Sequence, residues 1–292
     1  MMNYLFMEVD DMAIDIEQPK VLTADNYYDD FTYMSTSRFK EFIKCPRRQL
    51  AIELGMWEDK KSNYAFIVGN YVHSYFESPE AHRRFLEGHR SDLYATKGKT
   101  KGQLKAAFKV ADKMIRTLEV EELFNRVYHG SSGDEVEKER IFTGELYGIP
   151  FKCKVDSINF TGGYFVDLKT MDTLAGEKFS PTIRRYTKGV LYNVLEYQYD
   201  LQMYIYQQLI AQEVGYEMTP YIMAVSKESI PDKELIMVTD SILDHGRQIL
   251  EANAETIRSI WECEVDAEGC GHCDYCLAHK TLEGYVTLDE LF

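Results

Sequence analysis

Asp167 and Lys169 stand two residues apart in Tyr164-Phe-Val-Asp167-Leu-Lys169-Thr170, and Asp156 precedes them in Phe151-Lys-Cys-Lys-Val-Asp156. Two residues is the period of one face of a β-strand, so Asp167 and Lys169 are expected to point the same way. A tight Gly162-Gly163 turn should make the two runs antiparallel neighbours. Strands lie about 4.8 Å apart, so Asp156 and Asp167 could share one divalent cation if the register brings them level. Carboxylate oxygens suit Mg2+ or Mn2+, which would favour phosphodiester hydrolysis, while Lys169 would orient the attacking water or offset charge on the phosphate. Asp-x-Lys is also a common triplet that often forms nothing more than an exposed ion pair. Here Phe165, Val166 and Leu168 surround it, and a charged pair on an apolar strand calls for a reason.

Further candidates repeat a four-residue spacing. His73 and Glu77 fall on one face of a helix over about 64–77, and Gln202 and Tyr206 do the same on a helix over about 194–214. Taken singly, each pair reads as an ordinary intrahelical contact. Cys270, Cys273 and Cys276 crowd three thiols into seven residues, a spacing that lets a loop wrap one metal centre. Locally, Cys263 or His272 could complete a zinc site; three free thiols is the plain alternative. Cys153 alternates with Asp156 and reads as a packing residue.

These residues need elements to position them. Helices are expected from about residue 36, over 64–77, around 81–90 and over 103–126. Three strands in a meander follow the loop His129-Gly-Ser-Ser-Gly-Asp-Glu135, then a long helix, two strands separated by Ile230-Pro-Asp-Lys233, and a last helix over about 240–262. This order predicts an α/β (α+β) fold with a mixed sheet flanked by helices. We divide it into an acidic arm (1–34), a helical region (35–130) carrying His73 and Glu77, a core (131–262) and a cysteine-rich tail (263–292).

No apolar run approaches the roughly 20 residues of a membrane-spanning helix, so a cytoplasmic protein with no membrane partner is expected. The net charge of −15 argues against a chain that simply coats a polyanion. The bases are grouped, however, in Lys97, Lys99, Lys101, Lys105 and Lys109 and in Arg184, Arg185 and Lys188, so a local basic track can coexist with an acidic whole.

In this order, the motifs resemble the RecB-like branch of the PD-(D/E)xK nuclease superfamily, and most closely its phage-type exonuclease VIII group. Gly69-x-x-x-His73-x-x-x-Glu77 is similar to its helical element, Val155-Asp156 and Asp167-Leu-Lys169 to the two halves of its signature, and Gln202-x-x-x-Tyr206 to its Gln-x-x-x-Tyr element. Lys154-Val155 replaces the proline of the name. The resemblance implies a restriction-endonuclease-like fold and a magnesium- or manganese-dependent DNA exonuclease acting at duplex ends in recombination. It further implies His73 and the Leu168 carbonyl as ligands beside Asp156 and Asp167, Glu77 as a supporting acid, and Gln202 and Tyr206 lining the site or contacting DNA. Glu139 matches the place of another acid near the site. Cys45 is similar to the early cysteine of nucleases in which a 4Fe-4S cluster ties the tail to the first helix; with Cys270, Cys273 and Cys276 it would complete that set, zinc being the alternative. An annealing protein and homo-oligomers are implied partners. The contrasting function is a catalytically silent nuclease-fold regulator that binds DNA or protein.

Overall fold

The computed structural model describes residues 21–24, 26–59 and 64–282, with 284, 287 and 289. Most of the acidic arm, residues 1–20, lies outside them. A short strand β1 (Met34–Ser35) leads into α1 (Thr36–Lys44), whose N-terminus is capped where Ser35 Oγ accepts the Arg38 N–H at 3.3 Å. Pro46 opens α2 (Pro46–Glu53), where its missing N–H costs nothing. Helices α3 (Tyr64–Glu77), α4 (Pro79–Gly88), α5 (Arg90–Leu93), α6 (Ala106–Glu119) and α7 (Glu122–His129) complete the helical region.

The single helix expected over 103–126 is thus two. Asn125 explains the break, because its amide donates to the carbonyls of Glu119 and Glu121 at 2.7 and 3.0 Å and satisfies the end of α6.

The meander is present as β2 (Val136–Leu146), β3 (Ile149–Asn159) and β4 (Tyr164–Met171). Two elements without a sequence signal follow, β5 (Glu177–Ser180) and β6 (Arg185–Lys188), which pair only with each other. The helix expected over 194–214 is α8 (Gly189–Glu196) and α9 (Tyr199–Val214), broken at Gln198, whose φ of +50° turns the chain. Strands β7 (Thr219–Ser226) and β8 (Lys233–Met237), helix α10 (Asp240–Trp261) and a short α11 (Asp274–Ala278) close the order. Among the described residues, no helix is long and apolar enough to cross a membrane.

Six strands form one mixed sheet, ordered β1-β3-β4-β7-β8 with β2 along the other edge of β3. β3 therefore shares one edge between two partners. β1 runs parallel to it at Phe151 and Lys152, and β4 runs antiparallel only from Ser157 to Asn159. The stretch between them, which includes Asp156, is unpaired on that edge, so the sheet forks there. β4 instead runs parallel to β7 along its whole length, Asp167 beside Ile222 and Lys169 beside Ala224.

Helices cover both faces. Phe39 and Phe42 of α1, Leu201, Ile205 and Leu209 of α9, and Leu250 and Ile257 of α10 pack with Cys153, Val155 and Phe165 on one face. Val72 and Phe76 of α3, Phe108 and Met114 of α6, and Phe124 and Tyr128 of α7 pack with Val166 and Leu168 on the other. Gly246 lets α10 close on α9, since a Cβ there would stand 2.4 Å from the Asp200 carbonyl.

Candidate active site and cysteine centre

The fork in the sheet gathers the predicted acidic residues. Asp156 and Asp167 are both buried, at 8% and 3% exposure. Asp156 reaches across the fork, where its Oδ2 accepts the Leu168 N–H at 2.7 Å in place of a strand partner. Nδ1 of His73, on α3, stands 3.4 Å from the same oxygen. Asp167 Oδ2 lies 2.5 Å from Lys169 Nζ, and Asp167 Oδ1 accepts from Gln202 Nε2 at 2.9 Å, so α9 pins the second carboxylate as α3 approaches the first. Leu168 gives its amide to this arrangement.

Glu139 belongs beside them. The register that pairs Lys138 with Ser157 and Arg140 with Val155 sets Glu139 across from Asp156, and its φ of +52° departs from the strand. A non-glycine residue in that conformation costs free energy and is characteristic of functional sites. Its carboxylate meets Lys154 Nζ at 2.5 Å. Tyr206, one turn beyond Gln202, packs against the core under the site. Burial, then Tyr27 and Asp167, push its hydroxyl well above the usual phenol range.

The electrostatics are those of crowded carboxylates. Burial and the repulsion of Asp156 push Glu139 up to about 7, against the pull of Lys154, and Glu77 adds to the repulsion. Burial also raises Asp167, with Lys169 opposing and Asp156 adding to it. Burial would raise Asp156 too, but His73 and Lys169 outweigh it and hold that carboxyl below the usual range. His73 is the counterpart: burial lowers it, and Asp156 more than compensates. With Lys169 beside Asp167, Lys154 beside Glu139 and His73 beside Asp156, two carboxylates and an imidazole converge, a donor set of the chemistry that suits a hard divalent cation.

Two residues here escaped sequence reasoning. Lys40 of α1 donates to the Tyr197 carbonyl at 2.9 Å, and burial together with the Lys169 ammonium brings it down to about 7. Tyr199 lies under both lysines, its ring centroid 5.0 Å from Lys169 Nζ and 5.5 Å from Lys40 Nζ. Tyr199 could have been found, because it precedes Gln202 by three and Tyr206 by seven, on one helical face. Lys40 carries no such signal. The two basic groups lie apart from the carboxylates in sequence: Lys97, Lys99, Lys101 and Lys109 are exposed with Lys105 half-buried between α5 and α6, and Arg184, Arg185 and Lys188 are exposed on the β5–β6 hairpin.

A second centre lies at the tail. The sulfurs of Cys45, Cys270, Cys273 and Cys276 all fall within 4.8 Å of one another, a group able to hold a metal ion. Cys45 Sγ is 3.6 Å from that of Cys276 and 3.7 Å from that of Cys273. Backbone N–H groups of Cys270 and Cys273 point at Cys45 and Cys270 sulfurs, at 3.4 and 3.3 Å. Amides at His272 and Cys273 bring the Cys270 thiol down to about 6, in favour of the thiolate that binds metal. Cys263 stands outside the group, at the turn that ends α10, and His272 bonds the Cys270 carbonyl. Cys153 is buried in the core, as expected of a packing residue. The tail is tied down beside the centre by Arg47, which donates to the carbonyls of Glu268 and Ala267 at 3.1 and 2.8 Å.

Residues 35–279 match the family described as "PDDEXK-like domain of unknown function (DUF3799)". No curated protein matches the chain. Among solved structures, a "Putative exonuclease" from Eubacterium rectale is 32% identical, with a TM-score of 0.80 over 94% of this chain and 98% of that one. A structure of SSO0001, 13% identical with a TM-score of 0.28, carries no weight beside it. Over most of its length, then, the chain belongs to the PDDEXK-like family DUF3799, within the PD-(D/E)xK nuclease superfamily.

Proposed function

We propose that the protein is a metal-dependent DNA exonuclease that hydrolyses phosphodiester bonds at duplex ends. The observation that carries this reading is the convergence of His73, Asp156, Asp167, Lys169 and Gln202 on the fork between β3 and β4. The name of the Eubacterium rectale relative supports exonucleolytic action. Asp156, Asp167 and His73 would hold Mg2+ or Mn2+, with the Leu168 carbonyl as a further ligand, and the ion would supply Lewis acidity at the scissile phosphate. Lys169 offsets charge on that phosphate and orients the water, Gln202 fixes Asp167, and Tyr206 buttresses the site from below. Glu77 and Glu139 supply further negative potential beside the ion. The motif resemblance to the exonuclease VIII group is the ground for proposing further that the reaction belongs to phage-type recombination, with duplex ends resected for a partner annealing protein.

The cysteine centre is structural in this reading. A single tetrahedral ion with Zn–S bonds of about 2.3 Å has S···S edges of about 3.8 Å. Four thiolates around a cubane stand further apart, because each binds a different iron. The separations of 3.6 and 3.7 Å favour zinc over the iron–sulfur cluster implied by resemblance. Magnesium-dependent digestion of linear duplex DNA, lost in Lys169→Ala, tests the catalytic half. Metal analysis and an absorption scan near ~400 nm test the other, a brown protein reversing the assignment to zinc. A chain that cuts no DNA with any divalent ion would instead be a silent nuclease-fold regulator.

A further inference from the structure

Twenty-one tyrosines are far more than the site described above uses, and several of them form a path to it. Starting at the carboxylates, Lys169 rests over Tyr199. Tyr199 stands 6.0 Å from Tyr197, Tyr197 stands 6.5 Å from Tyr192, and Lys178 lies 4.7 Å over Tyr192. Tyr197 is the open member, 51% exposed. The path exists because Gln198, in the left-handed region, breaks α8 from α9. A continuous helix would keep Tyr192 and Tyr199 on one face but turn Tyr197 about 140° away from Tyr192. The break also frees the Tyr197 carbonyl, which holds Lys40 against the ring of Tyr199.

Lys40 makes this more than a row of rings. Lys169 has Asp167, and Lys178 has Asp172, but among the described residues no carboxylate pairs with Lys40. Burial and the Lys169 ammonium disfavour the charged form of Lys40, so an anion brought beside it would restore the proton and find a cation with no ion pair to break. Exposed tyrosines singly need no explanation. An exposed ring one aromatic step from Tyr199, over which both Lys40 and the candidate catalytic Lys169 lie, matches the pairing by which proteins hold single strands: bases stack on aromatic faces while cations follow the phosphates. Inside a paired duplex each base is covered on both faces by its neighbours, so only an end or an unpaired base can offer a face to such a ring.

We infer that Lys40 and Tyr197, with Tyr192 and Tyr199 behind them, form a subsite for the unpaired end of a DNA strand, with a backbone phosphate on Lys40 and a base on Tyr197. The inference rests on the nuclease reading for the choice of DNA. It deepens that reading by requiring the terminal nucleotides to leave the duplex before they reach Asp156 and Asp167.

Binding can test this apart from cutting. The full chain is titrated into fluorescein-labelled oligodeoxythymidylate and into a blunt hairpin duplex, with Ca2+ in place of Mg2+, and anisotropy is read. Wild type should bind the single strand. Tyr197→Ala should weaken that binding at least about fivefold, the lower end of what loss of one stacked base costs, and Tyr197→Phe should restore it. Lys40→Ala should weaken it too and flatten the dependence of log K on log salt by about 0.7, as for one lost phosphate contact on a single strand; Lys40→Arg should keep the slope. Tyr216→Ala is the control, since Tyr216 is 48% exposed but lies past the far end of α9, about 24 Å from Tyr199 along that helix. Unchanged binding in Tyr197→Ala, an equal loss in Tyr216→Ala, or a wild type that ignores the single strand each overturns the subsite. None of these touches the nuclease reading, which stands or falls on digestion of duplex DNA by wild type against Lys169→Ala.

Discussion

The carboxylate site and the cysteine centre both draw on the N-terminal helical region, through His73 and through Cys45, yet they are assembled in opposite ways. The first crowds charge into the interior: Asp156 and Asp167 are almost fully buried, and burial and mutual repulsion raise Glu139 and Asp167. Its cost is electrostatic, so the fold must carry it, and a cation bound there would relieve it. The second sits at the edge of the fold, where backbone amides point at sulfur and the thiols bring together positions 225 apart in the chain. Its cost is the ordering of a tail, which metal ligation would offset. One centre is expected to govern rate, and the other stability.

The sharpest way to break that division is Lys169→Ala. Cutting of linear duplex DNA should fall by about 10²–10³-fold, the scale of losing one charge-stabilising donor, while the melting temperature stays near that of wild type. A variant that melts much earlier would make Lys169 a structural partner of Asp167. Cys45→Ser should do the reverse: metal analysis should show the tail ion lost, and a destabilisation of about 2 kcal/mol would lower Tm by about 3 °C. Full metal content in Cys45→Ser would exclude Cys45 as a ligand.

Gln202→Ala removes a hydrogen bond to a buried carboxylate, worth about 1.5–3 kcal/mol. Steady-state kinetics should show kcat/KM reduced by roughly tenfold or more. An unchanged value would mean that Lys169 alone positions Asp167. The smallest effect concerns pH. Glu139 holds its proton up to about 7 in the folded chain against 4.5 when free, so the folded state binds more protons across that window and stability falls as pH rises through it. Glu139→Gln should therefore melt higher than wild type at about pH 8 in the absence of divalent cations, with the advantage fading as the pH drops toward 4.5. A constant difference across the range would show that Glu139 does not carry the buried charge.

What could be read in advance follows a physical pattern. The meander was legible because alternation and the Gly162-Gly163 turn are local, and His73 with Glu77 and Gln202 with Tyr206 because helical spacing is local. The kinks were not. Asn125 ends α6 through carbonyls that exist only once the chain has turned, and Gln198 adopts a left-handed conformation that its residue type does not demand. The β5–β6 hairpin was silent because its strands pair only with each other and show no buried alternation.

Sequence by itself determined the parts: which strands carry Asp156, Asp167 and Lys169, which helices carry His73 and Gln202, and that three thiols lie close together. Tertiary structure decided their company. It forked the sheet at Asp156, set Glu139 opposite, brought Cys45 to the tail in place of Cys263, and placed Lys40 over Tyr199. Residue type and spacing fix local geometry through the backbone, whereas contacts across a hundred positions or more depend on which faces the core buries, and that choice is made by the whole chain at once.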